Sequence, residues 1–237
     1  MEITTILQLY RRPEYLKEQV EAIKKQSITS KIIAVHNEGD VLFEYPKEID
    51  AIIYSSENLK YHLRYAIGLL AKTKYVSFFD DDTICGQKWY ENCINTIKKH
   101  DCICVANGRI IDRKNQRQYG PGWPDPKEHE IEVDFGGHAT FLKKENLKYM
   151  WYDDIIEHNN GEDIQLSANA KIFGKIPTYV PPYPLADKSL WGSDPEKAMK
   201  YGADKVASYI VNPAHHKERY ILFDKYVERG WELLLEK

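Results

Sequence analysis

An α/β fold is expected of this sequence: a mostly parallel central sheet flanked by helices, with a C-terminal helical segment. Three observations carry that expectation. Over roughly the first hundred residues, short β-rich runs alternate with amphipathic stretches at the intervals of a doubly wound sheet. One of those runs, Tyr75 to Phe79, is nearly continuous in apolar residues, as a strand buried on both faces must be. Near the end of the chain Tyr220, Phe223, Val227, Trp231 and Leu234 share one helical stripe, which predicts a helix packed on the core rather than a free tail.

The elements follow in order. Ile3 to Leu9 is a β-rich run, and Pro13 stands where a helix can begin, with Leu16, Val20 and Ile23 on its apolar face. Lys31 to His36 and Ala51 to Tyr54 read as the second and third strands. Asn58 is placed to cap a helix in which Leu59, Leu63, Ala66, Ile67 and Leu70 share a face. The Tyr75 to Phe79 strand runs straight into Asp80, Asp81 and Asp82, the strongest local signal in the chain. A helix from about Gln87 to Lys99 leads to a strand from Cys102 to Ala106, and the regular alternation stops there. Arg113 to Glu130 contains Gly120-Pro121-Gly122-Trp123-Pro124-Asp125-Pro126, which continues neither a helix nor a central strand, so a long loop is expected. Beyond it come a strand near Ile131 to Phe135, a Gly136-Gly137-His138 turn, a further strand, and a helix starting close to Glu162. Thr178 to Gly192, rich in Pro and aromatics, should cover a sheet edge as extended chain.

Composition narrows the function classes. The 237 residues carry 33 Lys+Arg against 36 Asp+Glu and 43% hydrophobic content, enough for a large core and too balanced for a polybasic nucleic-acid face. No apolar stretch approaches the ~20 residues of a membrane span. Nothing in the first residues reads as a secretory signal, so a cytoplasmic location is the expectation. Cys85, Cys93, Cys102 and Cys104 lack the spacing of a zinc or redox pair; Cys102 and Cys104 alternate within a strand and should face one side as packing groups.

Three consecutive carboxylates at the C-terminal end of a buried strand repel one another unless a cation compensates, and in open α/β sheets that edge is where ligands bind. A hard divalent ion, Mn²⁺ or Mg²⁺, between Asp82 and a diphosphate would neutralise both, leaving Asp80 for a ribose hydroxyl. A solvated acidic turn ahead of the next helix is the plainer alternative. A haloacid-dehalogenase phosphatase is disfavoured, because its Thr position holds Ile84 and the cluster comes after two βα units.

Phe78-Phe79-Asp80-Asp81-Asp82 after two βα units resembles the DxD motif of nucleotide-sugar glycosyltransferases of the GT-A fold. Gln8-Leu9-Tyr10-Arg11-Arg12-Pro13, Val35-His36-Asn37-Glu38-Gly39-Asp40, and Asn58 with Arg64 are similar to that fold's nucleotide-binding segments, and Gly161-Glu162-Asp163-Ile164 resembles its later acidic motif. The likeness extends over about residues 3 to 170 and covers both the family 2 and the exostosin-like transferases. It implies one GT-A-like domain over 1–237: a nucleotide-binding half to about residue 106, an acceptor and catalytic half to about 200, then the helical segment. Its donor would be a nucleoside-diphosphate sugar, UDP-linked, and its acceptor a hydroxyl of a glycan or other molecule. Gln8, Tyr10 and Arg12 would lie around the uracil and phosphates, Asn37 at the base, and Asn58 and Arg64 at the nucleotide or diphosphate. Asp80 and Asp81 would touch the ribose and donor sugar, with Asp82 as the metal ligand.

Asp163 is the catalytic candidate, since sugar transfer to a hydroxyl needs a carboxylate near the acceptor or the anomeric carbon. Deprotonating the acceptor would invert the anomeric centre, which is slightly favoured; facing the donor would retain it. Glu162 would raise the proton affinity of Asp163 or bind an acceptor hydroxyl. Both also suit the first turn of a helix without any catalytic role. Trp123, Trp151, Tyr183 and Trp191 are candidates for stacking on acceptor sugars, while His215 and His216 read as solvated. The alternatives to a transferase are a nucleotidyltransferase making the activated sugar, disfavoured because Leu9 to Pro13 holds no glycine, and a non-catalytic carbohydrate-binding protein of the same fold.

Overall fold

The computed structural model describes residues 2–38, 42–121 and 125–236. Gly39 and Asp40 of the second-strand exit, and Gly122, Trp123 and Pro124 of the Pro/Gly-rich loop, lie outside the described residues. Among those described, nine strands form a sheet: β1 (Ile3–Leu9), β2 (Ser30–Asn37), β3 (Ala51–Ser55), β4 (Tyr75–Phe79), β5 (Ile103–Asp112), β6 (Arg117–Tyr119), β7 (Ile131–Val133), β8 (Phe135–Lys143) and β9 (Thr178–Val180). Their order is β3-β2-β1-β4-β8-β5-β9-β7, with β6 on β5. The first four strands pair in parallel; β8 runs antiparallel to both β4 and β5, and the sheet is mixed from there on. Every residue of β1 and β4 is buried, which explains why their boundaries match the apolar runs in the sequence.

Helices cover the sheet. A single turn at Pro13–Tyr15 leads into α1 (Leu16–Lys24), which buries Leu16, Gln19, Val20 and Ile23 at helical spacing. α2 (His62–Gly68) starts later than the spacing predicts: Asn58 is no cap, its side chain instead accepting from the Lys60 amide at 2.9 Å, and Leu59 and Leu70 lie outside the helix and exposed. α3 (Trp89–His100) stops where Asp101 adopts a left-handed conformation, φ 46°. α4 (Glu162–Gly174) is buried through Ile164 to Ala170 with hardly a polar face, and begins after Gly161, whose φ of 87° is open mainly to glycine. α5 (Pro195–Gly202) is capped by Asp194, whose side chain accepts from the amides of Glu196 and Lys197, and α6 (Ser208–Val211) precedes α7 (His215–Glu228). None of these helices is long and apolar enough to cross a membrane.

Several local expectations change. β5 continues to Asp112, so a division near residue 106 falls within a strand, as a division near 200 falls within α5. The Arg113 to Glu130 stretch is not all loop, because Arg117–Tyr119 returns to pair with β5. Gly136, Gly137 and His138 are no turn but part of β8. The register slips there against Val105 and Asn107 of β5, and His138 takes φ 65°, so the strand bulges beside the end of β4. A side chain at Gly136 would collide with β5 backbone, so its absence serves strand packing. The four cysteines are free and buried, with Cys102 and Cys104 Sγ atoms 3.8 Å apart on one face.

The C-terminal helix does pack on the core. Phe223 is fully buried against Phe135, their rings 5.5 Å apart, beside Leu222 and Tyr226; Trp231 is buried just past the end of α7. Truncating such a side chain costs about 3–5 kcal/mol. Phe223→Ala is therefore expected to lower the unfolding free energy by about 3–5 kcal/mol, read as a lower denaturant midpoint at an unchanged slope. An unchanged midpoint would mean that α7 contributes nothing to the folded core.

Candidate active site

β1 feeds chain toward β2 and β3 on one side, while β4 lies on its other side, so the C-terminal ends of β1 and β4 flank the point where the strand order reverses. A cleft of about 520 Å³ opens there. Gln8, Tyr10, Arg12, Arg64, Asp80, Asp81, Asp82, Glu162 and Asp163 all line it, so the motifs at residues 8–12, 64, 80–82 and 162–163 converge. Asn37 and Asn58 do not line it. They hydrogen bond to each other at 2.9 Å, and Asn37 also binds the Leu59 amide and Lys60 carbonyl, fixing the 58–60 loop. Gln8 donates to the same Lys60 carbonyl at 2.8 Å, which leaves its Oε1 buried and without a partner among the described residues.

Two arginines hold the acidic end. Arg12 contacts Asp81 at 2.5 Å and Asp82 at 3.3 Å, and binds both oxygens of Asp204 at 2.8 Å. Arg64, on the buried side of α2, touches Asp80 and lies 3.1 Å from Glu162, tying the end of β4 to the start of α4. Its side chain is 7% exposed. Even so, carboxylates exceed guanidinium groups here. Burial, with Asp82 close by, pushes Asp81 up to about 7. Burial likewise raises Asp82. Glu162 rises to about 7, through burial and then its neighbour Asp163. Asp204 moves the other way, down to about 2, because Arg12 hydrogen bonds to it.

Some participants had no signal in the sequence. Asp204 follows α5, which closes over the β4 end: Tyr201 stacks on Tyr15 with ring centroids 3.9 Å apart, and its hydroxyl donates to Glu18 at 2.8 Å. A Cβ on Gly202 would sit 2.5 Å from Asp82 Oδ2, so any other residue here would make the Asp82 carboxylate shift. Across the cleft, Arg219 of α7 donates to Asp163 Oδ2 at 2.7 Å and to Asn160 Oδ1 at 2.9 Å, while Asp163 Oδ1 accepts from the Ile164 amide at 2.8 Å. Gly137 leaves open space beside that carboxylate, its Cβ position 3.8 Å from Asp163 Oδ2. His215 and His216 line the cleft rather than standing apart from it, and burial with Arg219 nearby holds His215 down at about 4. Two proposed stacking residues belong to the core: Tyr183 and Trp191 stack on each other, centroids 4.4 Å apart, with their polar atoms bonded to the Ser193 and Pro184 carbonyls.

These shifts fix a pH dependence. Asp81 and Glu162 keep protons up to about pH 7 when folded, whereas unfolded carboxylates release them near pH 4. Between those values the folded state binds more protons, so stability falls as pH rises through the window. Asp204 and the histidines contribute oppositely: the stabilisation from Asp204 is present above about pH 4 and is lost as pH falls toward 2, and His215, held down at about 4, with His36 and His62 also lowered by burial, adds stability as pH rises toward the usual histidine range, offsetting part of the carboxylate effect. In EDTA the protein should melt several degrees lower at pH 7.5 than at pH 5, and Mn²⁺ at pH 7.5 should recover part of the difference. Equal or higher melting at pH 7.5 without a divalent ion would contradict the carboxylate surplus.

The same core elements are shared with known proteins. Two crystal structures of S. aureus TarS superpose on the chain: one at TM-score 0.53 and 13% identity, covering 77% of this chain and 37% of that one; the other, TarS 1-349, at TM-score 0.56 and 14% identity, covering 85% and 63%. This chain thus spans less than two thirds of either, and at such identities the likeness establishes the GT-A fold alone. No curated protein matches the sequence significantly. The profile of Glycosyl transferase family 2 matches residues 4–151, more than half of the chain and every element from β1 through β8, and the protein is a member of that glycosyltransferase family.

Proposed function

We propose that the cleft binds a UDP-linked sugar together with a divalent cation at Asp82, and transfers the sugar to a hydroxyl of a glycan or other acceptor at Asp163. The observation that carries this reading is the buried carboxylate surplus at the end of β4, beside a cleft that can take a diphosphate only if a cation comes with it. Like charges at that distance are otherwise strongly repulsive.

The donor set suits Mn²⁺ or Mg²⁺, both of which take oxygen ligands. Asp82 is the least committed of the three aspartates, with the Thr83 hydroxyl at 3.2 Å and Arg12 at 3.3 Å, both long contacts. Among the described residues no three His, Cys, Asp or Glu side chains are already gathered as a complete metal site, so phosphate oxygens and water would provide the other ligands. The bound ion would stabilise negative charge on the departing diphosphate. Arg12 would meet the phosphates after leaving Asp204. The unpartnered Gln8 Oε1 offers an acceptor to the N3–H of uracil, and Asn37 and Asn58 would shape that wall through the 58–60 loop rather than touch the base. Tyr10 would border the nucleotide, and Asp80 and Asp81 the ribose and sugar.

Asp163 would take the proton of the acceptor hydroxyl at Oδ2 as that oxygen bonds to the anomeric carbon and the nucleoside diphosphate leaves, inverting the centre. Arg219 and the Ile164 amide orient its two oxygens. Glu162, held by Arg64 and raised to about 7, is committed to the cluster and would act by keeping Asp163 in register with the donor end.

Two outcomes are expected. UDP should raise the melting temperature in Mn²⁺ and not in EDTA, with Asp82→Ala removing the difference; equal stabilisation in both would remove the metal from Asp82. Asp163→Asn should lower kcat by about 10²–10⁴-fold, the usual contribution of general-base catalysis, while UDP affinity changes less than about threefold. Near-normal transfer by that variant would show that Asp163 is not the base, and the anomeric configuration of the product, read by NMR, decides inversion against retention.

A further inference from the structure

The cleft changes sign along its length. At the end of β4, Asp80, Asp81, Asp82, Glu162 and Asp204 form salt bridges to Arg12 and Arg64, with His138 also facing Asp82 and Arg219 acting on Glu162 from farther off. Toward β5 the balance reverses: Asp163 is paired with Arg219, and Arg109 stands beside them, sharing the single charge of Asp163 at longer range and forming no salt bridge of its own among the described residues. Nη1 of Arg109 donates to the Gly108 carbonyl at 2.7 Å and to the Asn107 side-chain oxygen, neutral acceptors that do not offset a full charge. Burial, and then the like charge of Arg219, lower its pKa, so holding this cation in the wall is costly until an anion arrives.

Position separates this charge from the nucleotide. Arg109 lies on β5, and β8 intervenes between β5 and β4, so it stands roughly 10 Å across the sheet from the end of β4 at the usual strand spacing. A cation and diphosphate at Asp82 would not neutralise it. Arg109 pairs across the sheet with Phe135, and the Arg219 guanidinium lies 4.9 Å from the centroid of that ring, so Phe135 neighbours one cation by strand pairing and the other by ring contact, beside the proposed base. We propose that Arg109 and Arg219 form a subsite for an anionic group, a phosphate or carboxylate, carried by the acceptor close to the hydroxyl that is glycosylated. This rests on the transferase reading above and names a substrate class for its acceptor end. Arg219 serves twice, orienting Asp163 and facing the anion; Arg109 serves the anion alone.

Ligand-observed NMR titration of the full chain tests this, with glucose 6-phosphate and glucose as probes, each with and without UDP and Mn²⁺. The phosphate ester should bind at least about tenfold more tightly than glucose, the difference one charge-assisted hydrogen bond makes. Arg109→Gln should cut that preference at least about threefold and Arg109→Lys keep more of it than Arg109→Gln does. Equal binding of the two probes by the wild type, or an undiminished preference in Arg109→Gln, overturns the subsite. UDP-glucuronate and UDP-glucose form the second arm: an Arg109-dependent preference found only between these two places the anion on the donor sugar and overturns the acceptor assignment. The titration without UDP reads the subsite by itself, so a failure of UDP to bind counts against the nucleotide-sugar reading and not against this one.

Discussion

Arg12 and Arg64 are buried among more carboxylates than they can neutralise, and the arrangement of the cleft follows from that imbalance. Arg64, on α2, reaches both Asp80 at the end of β4 and Glu162 at the start of α4, so a single guanidinium fixes motifs far apart in the chain in one place. Arg12 does the same between Asp81 and the segment after α5 through Asp204. Removing one partner from such a cluster strands another buried charge, an outcome costlier than the loss of the contact itself. Structural support and the field of the cleft therefore have a common origin: the groups that hold β4, α2 and α4 in register are the groups that leave a net negative charge there.

Asp204 occupies the face of Arg12 that the proposed donor phosphates would need. Its carboxylate binds Arg12 through both oxygens, as a phosphate would, and Gly202 at the end of α5 lies close against the Asp82 carboxylate. Donor binding at Arg12 would exchange one anion for another. The contacts of Tyr201 and Lys197 with Tyr15 and Glu18 then set how firmly the segment stays in place.

Much of this is legible in the sequence where the signal is local. β1 and β4 are buried on both faces, so their apolar runs mark their ends, and three aspartates directly after such a run mark the ligand edge. Charge partners far apart along the chain are not legible. Arg12 and Asp204 are 192 residues apart, and Arg64 and Glu162 98, so no periodicity connects them. Asn37 and Asn58 illustrate the opposite failing: as polar residues at a strand exit and a helix approach they look like ligand contacts, yet their side chains saturate each other and the 58–60 backbone. The Gly136-Gly137-His138 segment reads as a turn because glycine pairs usually are; β8 uses it as a bulge, which only the register against β5 reveals. Arg219 and His215 are hidden by the strongly polar start of α7, whose buried face begins only at Leu222.

On the function proposed above, the buried carboxylates at the end of β4 are half of a cation site that a diphosphate completes. The most direct measurement is anomalous diffraction at the manganese edge from crystals grown with UDP and Mn²⁺. A single strong peak is expected, bonded to the Asp82 carboxylate and to phosphate oxygens, with Arg12 turned from Asp204 toward the diphosphate. A bound UDP with no peak at Asp82, and with the Arg12–Asp204 pair intact, would refute the cation site.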